Sequence, residues 1–133
     1  MAGERMMPEE TAPIGRVRYL MHKGQPILLV DYTHCTPQQV IEVADRVQAE
    51  IAKQPPNSVL ALADYTGAQV DKAAATRIQE ALVFDRPKVK RSAWVGTEDL
   101  PNAFYEKFKN FSQRDFPKFA TREEAMDWLV SDE

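Results

Sequence analysis

Apolar and polar residues follow two different periods along the chain, and these periods predict a mixture of strands and helices. In residues 16–22 every second side chain is apolar, which predicts a strand with one wet face. A short apolar run at residues 27–30 predicts a second strand that is buried on both faces. Because Gly24 between them can adopt positive φ, the two strands are predicted to form a hairpin.

A helix start follows the hairpin. Thr36 is a hydroxyl N-cap, Pro37 suits the first helical position, and Gln39 completes a capping box. Apolar residues then recur on one stripe, as expected of a helix that covers a sheet. The proline pair within residues 54–57 ends this predicted helix.

The middle of the chain repeats a strand–helix order. Residues 59–63 form an apolar run typical of a buried strand, and Asp71 can cap the helix that follows. The inner stripe of that helix contains Ala74, Ile78 and Leu82, and the helix is predicted to end before Pro87. Alternation over residues 89–96 then predicts another strand.

The last third predicts two more helices and a short strand. Leu100, Phe104, Phe108 and Phe111 have the spacing of an amphipathic helix. Residues 116–119 predict a short edge strand, and Thr121 begins a second capping box before the final helix.

The predicted order ββαβαβαβα favours an α/β fold with a mixed, mostly parallel sheet covered by helices. A single domain is predicted over residues 14–133. Residues 1–13 are polar, contain two prolines and lack periodicity, which predicts a flexible N-terminal arm.

Composition narrows the function classes. The net charge of -3 gives no reason to expect nucleic acid binding. Cys35 is the one cysteine, so no internal disulfide is possible and a reducing compartment is favoured. The longest apolar runs, at residues 27–30 and 59–63, are far shorter than the roughly 20 residues of a transmembrane helix. These observations predict a cytoplasmic protein that does not span a membrane.

The strongest candidate site is the segment where the strand at residues 59–63 meets the next helix. In open α/β sheets, ligands and partners gather where strands end and helices begin. We therefore expect partner or ligand contacts from five residues of the turn: Asp64, Tyr65, Thr66, Gly67 and Asp71. An alternative interpretation is purely structural, because Asp and Thr side chains bond to the backbone of their own turns and Gly supplies unusual φ.

Other chemistry is weakly represented. His34 and Cys35 are adjacent and lack the partners that nucleophilic catalysis or a metal site would need, so an inert pair is predicted. The glycines are scattered singly, and no phosphate-binding loop can be assembled from them. We expect neither a cofactor nor a bound metal, and no enzymatic activity.

Five strings along the chain are informative when taken together. They are Gly24-Gln-Pro-Ile-Leu-Leu-Val-Asp31, Thr36-Pro37, Gln54-Pro-Pro-Asn-Ser-Val-Leu60, Asp64-Tyr-Thr-Gly-Ala68 and Phe119-Ala-Thr-Arg-Glu-Glu-Ala-Met-Asp-Trp-Leu129. These strings resemble the SpoIIAA-like small bacterial proteins of the STAS/SEC14 type, over about residues 14–130. The resemblance implies their α/β fold and a place among regulatory or binding domains.

The resemblance implies two functions. STAS switch proteins are phosphorylated on Ser or Thr directly after an Asp. Here that position holds Tyr65, and Thr66 at the second hydroxyl position is the available phosphoacceptor. A regulatory module that recognises a protein partner through residues 64–71 is our first hypothesis.

The second hypothesis is a carrier of a lipid or other small apolar ligand. SEC14-type domains enclose such molecules, and a mobile helix gates their cavity. By this resemblance Phe104, Phe108 and Phe111 would line an apolar pocket, although an aromatic stripe at helical spacing is also ordinary core. Tyr105 and Trp94 are expected to add aromatic surface near this helix. A homodimer is a further expectation, because the hairpin can leave an edge strand free and exposed aromatic residues on the helix that contains Phe104 could pair across a twofold axis.

Overall fold

The computed structural model describes residues 15–100, 104, 106–108 and 117–131. Its five strands form one sheet in the order β1-β2-β3-β4-β5, in which β1 is antiparallel to β2 and the other neighbours are parallel. The strands are β1 (Val17–His22), β2 (Gln25–Asp31), β3 (Val59–Asp64), β4 (Val89–Val95) and β5 (Lys118–Phe119). The helices are α1 (Pro37–Ala52), α2 (Lys72–Asp85) and α3 (Arg122–Leu129). The predicted mixed, mostly parallel α/β fold is confirmed.

The first two strands form the predicted hairpin. Their register ends with His22 opposite Gln25, which leaves Lys23 and Gly24 in the turn. Both turn residues have positive φ, 51° and 82°. Two consecutive positive φ angles are the signature of the tight turn that best fits twisted strands.

Three helix starts carry the predicted N-caps, but of the two predicted capping boxes only the one at Thr36 is complete, since Thr121 lacks the reciprocal bond from the Glu124 side chain. Thr36 Oγ1 accepts the N–H of Gln39, whose side chain accepts the N–H of Thr36 in return. Asp71 and Thr121 each accept the backbone N–H three residues further on. These bonds satisfy donors that a helix N-terminus leaves open, so local sequence alone sets where the helices begin.

Helices cover both faces of the sheet. Alternate residues of β2 enter different cores, because successive side chains of a strand point to opposite faces. Leu28 joins α1 and α2 residues in the larger core, whereas Ile27 and Leu29 join Leu129 of α3 in the smaller one. The central strands are therefore apolar on both faces, as the uninterrupted apolar runs predict.

Some sequence-based expectations differ from the structure. Tyr19 and Met21, predicted on the apolar face of the first strand, are 42% and 68% exposed, because the core covers that face only at the Val17 end of β1. Trp94, expected at the surface, is buried, because β4 lies inside the sheet and both of its faces are covered. Leu100 follows a 3-10 turn at Thr97–Asp99 and does not begin a helix.

Parts of the predicted aromatic helix are observed. Phe104 and residues 106–108 are helical, and Phe108 is buried. The predicted arm at residues 1–13, together with Tyr105 and Phe111, lies outside the described residues. Within the described ranges, no helix has the length and apolar character needed to cross a membrane.

Candidate functional site

Two neighbouring strands end in the same tripeptide, Asp-Tyr-Thr. It occupies residues 31–33 and residues 64–66, and in each copy the aspartate is the last residue of its strand, β2 or β3. The strand register places Asp31 directly beside Asp64. The two tripeptides therefore lie side by side at the carboxyl edge of the parallel sheet, the edge where α/β proteins usually bind ligands. The repeated tripeptide can be read from the sequence, but the strand register is needed to show that the two tripeptides are neighbours in space.

Each aspartate closes its own turn. Asp31 Oδ1 accepts the backbone N–H of Thr33 at 2.9 Å and its hydroxyl at 2.6 Å. Asp64 Oδ1 accepts the same two groups of Thr66 at 3.0 and 2.7 Å. Such bonds from a side chain to the backbone two residues on are typical of Asx turns. Asp64 Oδ1 therefore has the structural role described above, in which the side chain bonds to the backbone of its own turn.

Two arginines alternate with the two aspartates along this edge. Arg122, the first residue of α3, donates from Nε to Asp64 Oδ2 at 2.7 Å, and its Nη2 lies 3.6 Å from Asp31 Oδ1. Arg16 Nη1 lies 3.7 Å from Asp31 Oδ1. We call Arg16, Asp31, Arg122 and Asp64 the edge cluster. Sequence reasoning missed both arginines, because no local pattern links Arg122 to a residue 58 positions away.

The neighbours of Asp64 stabilise the ionised form of its carboxyl. Burial by itself would raise the pKa of this carboxyl, but bonds from Thr66 and Arg122 outweigh it and hold the pKa below its usual value. Hydrogen bonds and an opposite charge both favour the ionised form of a carboxyl. Asp64 is therefore a carboxylate at neutral pH and accepts hydrogen bonds rather than donating a proton.

The tyrosines of the two tripeptides point into the core. Their rings stack with centroids 5.0 Å apart and planes 17° from parallel. Tyr65 also packs against Trp94 at 4.7 Å, and Trp94 meets Phe108 edge-on at 5.8 Å. Tyr65 is only 1% exposed, and burial raises the pKa of its hydroxyl well above the ordinary value. Tyr65 therefore supports the turn from below, and its side chain does not reach the surface of this structure.

The predicted site residues divide by exposure. Thr66 and Asp71 are exposed, Gly67 is half-buried, and Asp64 and Tyr65 are buried. Asp71 is already used as the cap of α2, where its carboxylate accepts the N–H of Ala74 at 2.8 Å. Thr66 is consequently the member of the set whose side chain is both polar and open to a partner.

Two glycines allow neighbouring loops to approach the Thr66 turn. Gly67 has φ 70°, and a Cβ there would overlap the ring of His34. Gly96, directly after β4, has φ 74°, and a Cβ there would overlap the hydroxyl and backbone of Thr66. The end of β4 thus presses against the turn, and only glycine permits both the contact and the left-handed backbone.

A small cavity lies between the sheet and the helices α1 and α2. Its volume is about 60 Å³. Its lining includes Tyr32, Tyr65 and Trp94, as well as Asp85 from the end of α2. Among the described residues, neither Phe104 nor Phe108 lines it. Phe108 instead packs in the core, Phe104 packs beside it, and Phe111 lies outside the described residues.

Comparison with known proteins supports the fold. No family model matches the chain, and no curated protein matches it either. One similar solved structure is an uncharacterised protein of the DUF3478 family from Shewanella loihica PV-4, described as having a SpoIIAA-like fold. It is 19% identical, covers 86% of this chain and 92% of its own, and has a TM-score of 0.64. The chain has a SpoIIAA-like fold.

In this SpoIIAA-like fold Cys35 belongs to the loop between β2 and α1, and its side chain joins the larger core. Cys35 is fully buried, and this burial raises the pKa of the thiol, so the group is protonated at neutral pH. A protonated thiol is a poor nucleophile and a poor metal ligand. His34 is exposed, and its backbone N–H donates to the carbonyl of Thr66 at 2.8 Å. Among the described residues, no group of three or more metal-binding side chains occurs.

The close approach of Gly96 to the turn of this SpoIIAA-like fold makes a testable prediction. We expect Gly96→Ala to destabilise the protein by roughly 2–4 kcal/mol, because strained φ and overpacking add. Gly24→Ala is the matched control, since Gly24 has φ 82° with no atom within 4 Å of the new Cβ. It should lose only about 1–2 kcal/mol. Urea unfolding of both variants measures the difference, and equal losses would show that the contact with Thr66 is unimportant.

Proposed function

We propose that this domain is a non-enzymatic recognition module that binds a protein partner through residues 64–71. The observation that carries the proposal is an exposed polar turn that is held in place by a buried ring and by an ion pair. Tyr65 holds it in the aromatic stack, and Arg122 bonds to Asp64 at 2.7 Å. A surface that is ordered before binding loses less conformational entropy when the partner docks.

The outer face of the turn supplies the contacts. Thr66, Gln69 and Asp71 are exposed and polar. Their backbone is held by further bonds, since the N–H of Gln69 donates to the carbonyl of Cys35 at 2.9 Å and the N–H of Ala68 to that of Tyr65 at 2.9 Å. Adaptable side chains on a fixed backbone suit a recognition surface better than a mobile lid.

The edge cluster supports binding rather than catalysis. A general acid or base needs a carboxyl that is free to exchange its proton with substrate. Asp31 and Asp64 instead accept bonds from threonines and lie beside arginines. The two carboxylates therefore stabilise the turns that follow their strands.

Phosphorylation of Thr66 is the regulation we propose for this surface. Thr66 is exposed, and its hydroxyl donates to Asp64 at 2.7 Å. A phosphate would remove this donor and add a charge of about -1.5 to -2 beside the carboxylate. The repulsion would open the turn and change the surface that the partner meets.

Affinity capture with matched surface variants tests the proposal. Gln69→Arg places a bulky charge on the exposed turn, while Ala52→Arg places the same charge at the exposed end of α1. We expect a protein that is enriched by the wild type and by Ala52→Arg to be lost with Gln69→Arg, without a change in melting temperature. Equal enrichment by all three proteins contradicts a recognition role for the turn.

The apolar carrier has less support. Pockets for ligands of drug size usually measure roughly 300–1,000 Å³, whereas the described cavity measures about 60 Å³. Phe108 fills core space against Trp94. Native mass spectrometry of freshly purified protein reports a retained lipid, and it also reports the second copy that a homodimer would require.

A further inference from the structure

The cavity between the sheet and α1 and α2 contains polar groups that the proposed function does not use. Four lining side chains carry them, and each is at least nine-tenths buried. None of these side chains forms a hydrogen bond with another described residue. Their polar atoms face the cavity, so water or a ligand in it has to supply their hydrogen bonds. The four are Tyr32, Tyr65, Asp85 and Ser92. Among the described residues, the one side-chain nitrogen or oxygen that is fully enclosed without a partner is Gln79 Nε2, which does not line this cavity.

Asp85 is the most costly of the four to leave unpaired. It is 7% exposed and lies at the end of α2. The cation that acts on it from α2 is Arg77, but that side chain is bonded to Asp45 and Gln48, each at 2.6 Å. Burial raises the pKa of Asp85 to about 7, with Arg77 opposing the rise only in part. The carboxyl therefore lacks a close cationic partner.

The rest of the lining is apolar and aromatic. Ala61 and Ala63 of β3 form one wall, Ile78 of α2 forms another, and the rings of Tyr65 and Trp94 close one side. Aromatic rings attract cations electrostatically, most strongly where water is excluded. A ligand with a positive charge and a short hydrocarbon part fits this cavity, because the charge can pair with the Asp85 carboxyl and the hydrocarbon part can pack against the apolar walls.

We infer that this cavity binds a small organic ammonium ion, whose N–H groups donate to Asp85 and Tyr32 and whose alkyl part packs against Ala61 and Ala63. The volume limits the ligand. A protein cavity of about 150 Å³ binds benzene, so about 60 Å³ suits two or three heavy atoms. Ethylammonium is the appropriate probe.

The charged and polar groups around Asp85 indicate that the ligand is a cation. Arg77 faces it from α2, and Asp45 of α1 balances that arginine. Arg86 lines the cavity and is itself exposed. From the sheet side, Tyr32 and Ser92 contribute neutral hydroxyls. An anionic ligand would place a second negative charge beside Asp85, whereas an ammonium ion compensates the carboxylate.

NMR titration of the alanine methyl groups tests the site. At pH 8, ethylammonium chloride should give saturable shifts at Ala61 and Ala63, with sodium chloride of equal ionic strength as the blank. The affinity should be about tenfold weaker at pH 6, because a group with a pKa near 7 is then mostly protonated. Asp85→Asn should weaken binding at least tenfold, while Asp127→Asn, on α3, should bind like the wild type.

Two further probes define the outcomes. Ethanol has the size of the probe without its charge, and acetate has the opposite charge. Saturable binding of ethylammonium alone supports the inference. It is overturned by equal binding of ethanol, by preferential binding of acetate, or by an absence of saturable shifts at pH 8. If Asp85→Asn fails to fold, the pH dependence of the wild type decides in its place.

Discussion

Replacement of Tyr65 by alanine is expected to lower the free energy of unfolding by roughly 3–5 kcal/mol, the range for removing a large buried aromatic side chain. Tyr65 is 1% exposed and stands between Tyr32 and Trp94 in the aromatic stack. Its loss would leave a void beneath the Thr66 turn and remove two ring contacts. Urea unfolding followed by tryptophan fluorescence measures the change.

Two control variants separate packing from other effects. Tyr65→Phe keeps the ring and should cost less than about 1.5 kcal/mol, because its hydroxyl bonds to no other described residue. Tyr19→Ala removes a tyrosine that is 42% exposed and should also cost little. A loss below about 1 kcal/mol for Tyr65→Ala would contradict the central position of this ring.

Replacement of Asp85 by asparagine is expected to remove a decline of stability with pH. Burial raises the pKa of Asp85 from 3.8 to about 7. Between these values the unfolded chain has released the proton while the native protein still holds it. Wild-type stability therefore falls as pH rises through this window and levels off above pH 7. Three pKa units correspond to about 4 kcal/mol.

Urea unfolding at intervals from pH 4 to pH 8 measures this effect. The asparagine side chain does not titrate, so the variant should gain stability relative to the wild type at each step up to pH 7. Asp127→Asn, which changes a carboxyl on α3, should keep the wild-type decline. Parallel curves for the wild type and Asp85→Asn would show that Asp85 has an ordinary pKa.

Local chemistry made much of the fold predictable. The capping box at Thr36 and the cap at Asp71 involve residues three apart, so the sequence shows both partners together. Gly24 marked the hairpin in the same way. The alternation of strands and helices also indicated that the sheet is mostly parallel.

The candidate site was only partly predictable. The turn at residues 64–67 was identified, but not the burial of Tyr65, because a polar aromatic residue at the end of a strand can point either way. The bond from Arg122 to Asp64 crosses 58 positions and has no local signal. Such long-range contacts depend on how the elements pack together, and the spacing of apolar residues along the chain does not reveal that packing.

Asp85 is a different case, since the sequence contained a usable signal. Ile78 and Leu82 were placed on the inner stripe of the helix, and position 85 continues that stripe at a spacing of three. A carboxyl on the inner face of an amphipathic helix predicts a buried acid. The apolar residues alone predict the helix, whereas the charge pattern at its end carries the signal for the buried acid.

The position of Arg122 couples the last helix to both turns. One guanidinium contacts Asp64 and Asp31, which end two different strands. Because one side chain serves both aspartates, a substitution of Arg122 would remove a cation from both turns at once.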